Sequence, residues 1–451
     1  MAQRGPAGPG SGGKPSFRAA LVVFQNRNYR YLWTSSLFSF TGMQMQQVAR
    51  ALLAWELTKS YGAVGLISLS FGLPMLFFSL IGGSLADRFE KRNLTMASQA
   101  ATAFFAVATA AMLVTDTITI PWLFALGVGG GTAMALGMPA RSPLMAQVVG
   151  PENVMSAMAM SNAAMNATRL FGPALAGVMV ATWNLESVYF LQSALSVISA
   201  VILLAVPTGL GGLALVQRGS MFREIGNGLA YVARDSRLRQ LNISMFAVSF
   251  FAMPYVMLLA GFVHEDLNKG DAEFGFLQSV SGVGALVGSL GVATLTQFDR
   301  KTLVQWIAGI IGGLGLVALA IFSRSFGYTG AIGATLVLGL ALTAYQTLNS
   351  TLMMEAAKPE FYGRVMSINM LSFSAMPLMA FPLGKIADHV GVTNMFIAQG
   401  AIVVGIMLVI SLLNPGHTFG RAPVSERPQF GPRPAGHPPA NEPLEVPAGG
   451  K

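Results

Sequence analysis

Val64–Arg92 reads VGLISLSFGLPMLFFSLIGGSLADRFEKR. From Val64 to Ala86 there is no charged residue; Asp87, Arg88, Glu90, Lys91 and Arg92 then arrive within six positions. A hydrocarbon core about 30 Å thick is crossed by roughly 20 helical residues that are mostly apolar. An apolar span that stops on a basic cluster reads as a membrane helix reaching the cytoplasm, because cations concentrate in cytoplasmic loops.

The whole chain fits that reading. It has 451 residues, 53% hydrophobic and 10% charged, against about 25% charged in an average soluble domain. The net charge of +9 is spread over span ends and tails instead of one patch, which argues against nucleic acid. With no cysteine there is no disulfide, thiolate metal site or cysteine nucleophile. The four histidines are scattered along the chain and offer no metal cluster. No phosphate-binding loop is present, so ATP drive and enzymatic chemistry are not expected, and no cofactor is implied. No secretory leader is visible in the Gly/Pro-rich start.

Twelve apolar segments are predicted to cross the bilayer: 30–57, 62–86, 93–115, 119–140, 153–181, 185–206, 239–263, 273–297, 302–323, 328–353, 364–388 and 392–413. They divide into residues 17–206 and 239–413, two six-helix bundles joined by a linker at 207–238, with disordered tails at 1–16 and 414–451. With the N-terminus cytoplasmic, thirteen Lys and Arg fall in inner loops and three (Lys59, Lys269, Arg324) in outer ones. Both termini are therefore expected on the cytoplasmic side of the cell membrane. In the linker, Phe222, Ile225, Leu229 and Val232 share one helical face, suited to the membrane surface or to a solvated connection. Asp299-Arg300-Lys301 echoes Asp87-Arg88 at an offset of 212 positions, as expected of an internal repeat.

The pattern Gly83-x-x-x-Asp87-Arg88-x-x-Lys91-Arg92 resembles the loop between the second and third helices of the major facilitator superfamily. The resemblance covers about residues 17–413 and implies an all-α membrane protein of two pseudo-symmetric bundles around a central cavity. It also implies a gate. Asp87 would cap the start of the eleventh span near Gly363 and Arg364, and Arg88, Lys91 and Arg92 would pair with acids such as Glu152. Asp299 and Arg300 are the matching positions of the second half. Arg169-Leu170-Phe171-Gly172-Pro173-Ala174-Leu175-Ala176-Gly177 looks like the Gly-Pro signature of drug and proton antiporters. There Gly172, Pro173 and Gly177 would make a bend. Pro139-Ala140-Arg141, closing the fourth span, resembles the turn of enterobactin-exporter-like members, as does Gln44–Arg50.

Polar residues inside the spans are the cavity candidates. Asn162, Asn166 and Arg169 recur at i, i+4 and i+7 on one face, and a charge at mid-span costs at least about 2.5–3.5 kcal/mol. Gln44, Gln46, Gln47 and Arg50 form a stripe on the first span; Tyr345, Gln346 and Asn349 form another on the tenth. These groups either line a cavity or bind helices to one another. No carboxylate stands near the middle of a span, so Arg169 either meets an anionic or phenolic substrate or rests on backbone carbonyls and amides. The 26 methionines suit either a polyspecific cavity or apolar filler. Gly127, Gly131, Gly284 and Gly288 read as helix-packing positions. The expectation is a monomeric, proton-coupled exporter of small amphiphilic molecules, drugs or siderophore-like metabolites. A transporter-like sensor and an importer are the alternatives.

Overall fold

The computed structural model describes residues 22–209, 230–294, 300–357, 365, 376–413 and 415, apart from a few side chains, among them that of Asp87. Residues 1–16, 210–229, Asp299, Gly363, Arg364 and nearly all of 414–451 lie outside the described residues. The first half forms α1 (Arg27–Thr58), α2 (Tyr61–Arg88), α3 (Lys91–Val114), α4 (Ile120–Val149), α5 (Val154–Thr182) and α6 (Leu185–Leu203). The second forms α7 (Ser236–Glu265), α8 (Asp271–Thr294), a long element at Lys301–Ala356, α11 (Met376–Val390) and α12 (Val392–Leu413).

Local chemistry sets the helix ends. Asn26 accepts from the amides of Asn28 and Tyr29 at 2.9 and 3.2 Å, and Asn184 accepts from Ser187 N at 3.0 Å, each satisfying donors that a helix start leaves free. Within α7, a π-turn spans Val248–Ala252. Pro254 follows it, and proline has no amide with which to continue the regular ladder.

Lys301–Ala356 has 56 residues, which would be about 84 Å of straight helix. Gly327, with φ 59° and ψ −140°, breaks it into α9 (301–326) and α10 (328–356). A backbone with φ in that region costs little only for glycine. The arms fold back on one another. A Cβ on Gly312 would lie 2.7 Å from Leu342, one on Gly315 3.0 Å from Leu338, and one on Gly309 3.2 Å from Tyr345. Gln305 Nε2 donates to Asn349 Oδ1 at 2.7 Å, and Lys301 pairs with Glu355 at the open end.

Eight stretches of the described residues are long and apolar enough to cross a membrane, the α9–α10 hairpin among them as one. Large apolar side chains such as Phe104, Phe171, Leu314, Phe322 and Leu412 point outward and are exposed, a surface suited to lipid and not to water. Helix starts repeat between halves: Arg27 to Ser236, Tyr61 to Asp271, Lys91 to Lys301 and Leu185 to Val392 are offset by 209, 210, 210 and 207 positions. Within the first half α1 packs on α5 and α6, and α4 on α2 and α3; the halves meet chiefly through α2 on α11 and α5 on α8.

Small residues make these contacts. The predicted packing glycines are found in that role. A Cβ on Gly127 would lie 2.1 Å from Ser70 Oγ, on Gly131 2.7 Å from the Phe71 carbonyl, on Gly284 2.2 Å from the Leu336 carbonyl and on Gly288 2.4 Å from that of Leu340. The fourth span departs from its expected end at residue 140. The helix runs on through Pro139 and Pro143 to Val149, so Arg141 is a helix residue packed between elements, not a loop cation. The carbonyl that Pro139 leaves without a helical donor is that of Ala135. Gly82 of α2 lies against it, where a Cβ would come within 2.4 Å.

A paired substitution tests this packing. In Gly339→Ala the new methyl would sit 2.1 Å from the Ser281 carbonyl, whereas Gly333 has nothing within 4 Å. Gly339→Ala should destabilise by about 1–3 kcal/mol. Gly333→Ala should be neutral or stabilise by up to about 1 kcal/mol. Thermal unfolding in detergent, followed by tryptophan fluorescence, measures both.

Candidate functional site

Among the described residues, hydrogen bonds between the two halves cluster at one end of the bundle. Asp388, in the last turn of α11, accepts from Ser60 Oγ at 2.7 Å, Tyr61 N at 2.6 Å and Gly62 N at 3.1 Å. It thereby caps the positive N-terminal end of α2, a favourable place for a carboxylate. Beside it the Tyr61 hydroxyl donates to Glu265 Oε2 of α7 at 2.9 Å, and the Tyr61 ring tilts against Trp55 with centroids 4.8 Å apart. Deeper in, Ser68 Oγ reaches Met257 Sδ at 3.1 Å. The backbones nearly touch: a Cβ on Gly65 would lie 2.3 Å from the Ala380 carbonyl, and one on Gly384 2.3 Å from that of Tyr61. This end of the α2–α11 contact is closed.

The α5–α8 contact is built around Pro173. A Cβ on Gly275 would lie 2.5 Å from the Pro173 carbonyl, and one on Gly177 2.8 Å from the Gly275 Cα. Pro173 leaves the Arg169 carbonyl without its helical donor, and Gly282 lies against that oxygen, its absent Cβ 2.8 Å away. Gly172 faces the Gln44 side chain of α1. Helix α5 exposes two opposite faces. Phe171, Leu175 and Val178 form an apolar one suited to lipid; Met155, Met158, Asn162 and Arg169 are exposed on the other, with Asn166 half-buried between them. Arg169 therefore stands on the exposed face opposite the apolar one.

Two further guanidinium groups lie inside the first half. Arg50 on α1 stacks over the Phe71 ring, 4.3 Å from its centroid, and its Nη1 is buried without a hydrogen-bond partner. Arg141 on α4 donates from Nη2 to Ser39 Oγ at 2.5 Å and lies over Phe40 at 5.3 Å, while its Nη1 is likewise buried and unpartnered. Arg141, Phe71, Ser39, Phe40, Met43, Gln46, Gln99 and Thr102 line one cleft of about 40 Å³. Among the described residues the ion pairs are His264–Asp271 and Lys301–Glu355, and neither involves these arginines.

The other sequence candidates divide. Gln44 is buried between α1 and α5 instead of lining open space, because Gly172 admits it there. Tyr345 is also buried, against Gly309 of the hairpin. Asn349 is the interhelical partner of Gln305, and Gln346 meets Met253 Sδ at 3.2 Å. Gln47 is half-buried. In the loop of the opening motif, Arg92 donates to the Val206 carbonyl at 2.8 Å, and Glu90 accepts from Gly209 N at 2.9 Å. Arg88 is exposed, Lys91 is half-buried, and neither meets Glu152. Gly83 has nothing within 4 Å of an added Cβ in this conformation. The close approach falls one residue earlier, at Gly82. Arg300 is exposed at the start of α9.

Asp388 was not a sequence candidate, although the sequence held a signal. A carboxylate in the last turn of a helix opposes that helix's own dipole, so it calls for a partner from elsewhere. Arg141 was hidden by its flanking prolines, which suggest a turn.

The arrangement is a helical body in two halves, with a hydrogen-bonded closure at one end of the α2–α11 contact and an exposed face on α5 that carries Asn162 and Arg169. The family model described as transmembrane secretion effector, of the major facilitator transporters, matches residues 18–425, and the chain belongs to that family. Among its relatives, macrolide efflux protein A of Streptococcus pyogenes is 22% identical over 392 residues, covering 85% of this chain and 95% of the relative. The staphyloferrin A transporter of Staphylococcus aureus (strain NCTC 8325 / PS 47) is 21% identical over 390 residues, covering 85% and 96%. Enterobactin exporter EntS of Shigella boydii serotype 18 is 23% identical over 323 residues, covering 68% and 75%. The fold is shared with the nucleoside transporter NupG, with TM-score 0.66 at 14% identity over 86% of this chain and 99% of that one. A sulfate-bound peptide transporter, POT, superposes with TM-score 0.71 at 14% identity over 88% and 96%. The chain is thus a multi-pass transporter of the cell membrane, of a type mostly devoted to efflux.

The absence of native cysteine gives the Asp388 contact a clean test. Ser68→Cys places a thiol at a buried site on α2, where maleimide labelling should be slow. Adding Asp388→Ala removes charge-assisted hydrogen bonds worth about 1.5–3 kcal/mol each. The labelling rate of Cys at 68 should then rise at least several-fold.

Proposed function

We propose that this chain is a secondary active exporter of small amphiphilic molecules, drugs or siderophore-like metabolites, driven by the proton gradient and working by alternating access. The observation that carries the reading is the pairing of a closed α2–α11 contact at the Asp388 end with an open polar face on α5. A carrier must close one end of its cavity while the other stays accessible. The relatives named as macrolide, staphyloferrin A and enterobactin transporters support export of compounds of this kind.

In this reading twelve helices cross the membrane as two bundles, 17–206 and 239–413, linked by 207–238, with both termini cytoplasmic. Removing Arg141 from the loop count leaves twelve inner cations against three outer ones, so the orientation argument stands. The Asp388 end then faces outward, and its closed contact is the outer gate. In the opposite state the gate would form at the inner side. Asp87 would cap the start of the eleventh span (364–388) near Gly363 and Arg364, with Gly83, Arg88, Lys91 and Arg92 in the same contact and Asp299 and Arg300 at the matching place in the second half. Gly172, Pro173 and Gly177 serve as the crossing over which the halves rock. Arg169, Asn162, Asn166, Gln47, Arg50 and Gln346 face the path. The protein acts as a monomer in the bilayer.

Purified protein in liposomes, loaded with the uncharged amphiphilic dye Nile red, should export the dye faster when a pH gradient is imposed. Asp87→Asn should express normally and lose at least tenfold in rate. Arg169→Ala should lower the rate for at least one substrate. Dye binding without gradient-dependent movement would instead make the chain a sensor, and gradient-driven accumulation an importer.

A further inference from the structure

We propose that Arg50 and Arg141 form an anion-binding subsite in the first half of the chain, which takes a carboxylate carried by an otherwise apolar substrate. The proposal rests on the transporter reading above and names the substrate class of its cavity.

Both guanidinium groups have a buried Nη1 with no partner. The contacts they do make are weak: an aromatic face each, and for Arg141 one hydroxyl. A buried charge is costly unless it is paired, and a desolvated cation–π contact returns only part of that cost. No carboxylate of the described residues repays the rest. The acids there stand near helix ends or in connections, for example Glu56, Glu90, Glu152, Glu186, Glu355 and Asp388. Arg141 lines the cleft directly, and Arg50 stands behind one of its walls. Phe71 lies beneath Arg50 and forms part of the same cleft as Arg141. The cleft of about 40 Å³ has room for a small anionic group, since a water needs roughly 10–15 Å³ measured this way.

The lining fits an amphiphile. Ser39, Gln46, Gln99 and Thr102 supply hydroxyls and amides, while Phe40, Met43, Met134 and Met138 supply an adaptable apolar wall. The planar fork of arginine matches a carboxylate with two parallel hydrogen bonds. Low local dielectric strengthens the pairing. Arg169, exposed on α5, adds a third positive charge to the same half of the chain.

The test uses the full chain in detergent, with 2-naphthoate and its uncharged isostere 2-naphthamide as probes, and binding measured by calorimetry. Naphthoate should bind saturably and at least tenfold more tightly than naphthamide. Arg50→Gln and Arg141→Gln should each weaken naphthoate binding tenfold or more without changing naphthamide binding, and Arg141→Lys should restore part of the loss. The unliganded unfolding temperature of each Gln variant should equal or exceed that of the parent, which separates loss of a ligand from loss of fold. The subsite is overturned by no naphthoate binding, by equal binding of the two probes, or by unchanged naphthoate binding in the double variant Arg50→Gln/Arg141→Gln. Binding of chloride with no preference for naphthoate also overturns it. Nile red export by the parent in liposomes is measured in parallel. If export persists while naphthoate fails, only the subsite falls; if export is absent, the transporter reading falls with it.

Discussion

Every carbonyl inside a bilayer must find its hydrogen bond within the protein, because hydrocarbon offers none. Two prolines make that constraint visible here. Pro139 frees the carbonyl of Ala135 and Pro173 frees that of Arg169, and in each case a glycine of the adjoining helix, Gly82 or Gly282, lies against the oxygen. Only a residue without Cβ comes that close, bringing its Cα–H toward the carbonyl in the manner of a weak hydrogen bond. The same economy runs through the α2–α11 contact at Gly65 and Gly384 and through the hairpin at Gly309, Gly312 and Gly315. Lipid tails are as apolar as leucine, so helices in a membrane hold together by close packing more than by hydrophobic burial. The glycines at these helix contacts are in this sense the core of the protein.

Close packing alone would lock the two halves. The end of the α2–α11 contact instead carries a charge-based cap, Asp388 on the first amides of α2, with Tyr61 and Glu265 beside it. Charged hydrogen bonds near a water-facing end can exchange with water when the helices part. Glycine against carbonyl thus gives a smooth surface, and the carboxylate gives it a preferred position. The opening motif places Asp87 at the other end of the same helix, where α2 finishes. One helix therefore bears an acid at its C-terminal end and receives another at its N-terminal end.

Interior charge follows the opposite rule. The described carboxylates stay near helix ends, but Arg50, Arg141 and Arg169 lie within helices, the first two with buried nitrogens that find no partner. Folding has tolerated an unfavourable potential in one half of the molecule. Stability does not call for such a feature, since neutral side chains of similar size would pack with less cost; recognition of an opposite charge does.

Much of the fold was legible in the chain because its signals are one-dimensional. Apolar length between charges, as in Val64–Ala86, sets a helix in lipid, and the echo at Asp299 and Arg300 agrees with helix starts that repeat some 210 residues apart. The packing role of Gly127, Gly131, Gly284 and Gly288 could also be read, since a glycine inside a membrane helix needs a close neighbour. The site was less legible, because a side chain's depth and partners depend on elements far away in sequence. Prolines around Arg141 suggested a turn, yet the helix continues, and the arginine becomes an inward-facing charge. Gln44 and Tyr345 were polar residues at helical spacing, yet Gly172 and Gly309 on other helices bury them. Asp388 looked like an ordinary helix end until α2, 326 or more residues away in sequence, brought its amides to it. The sequence by itself determined that helices cross a membrane in two related sets; tertiary structure alone decided which polar groups are glue, which form the closure and which remain unpaired, because that choice is made by the backbone distances between helices.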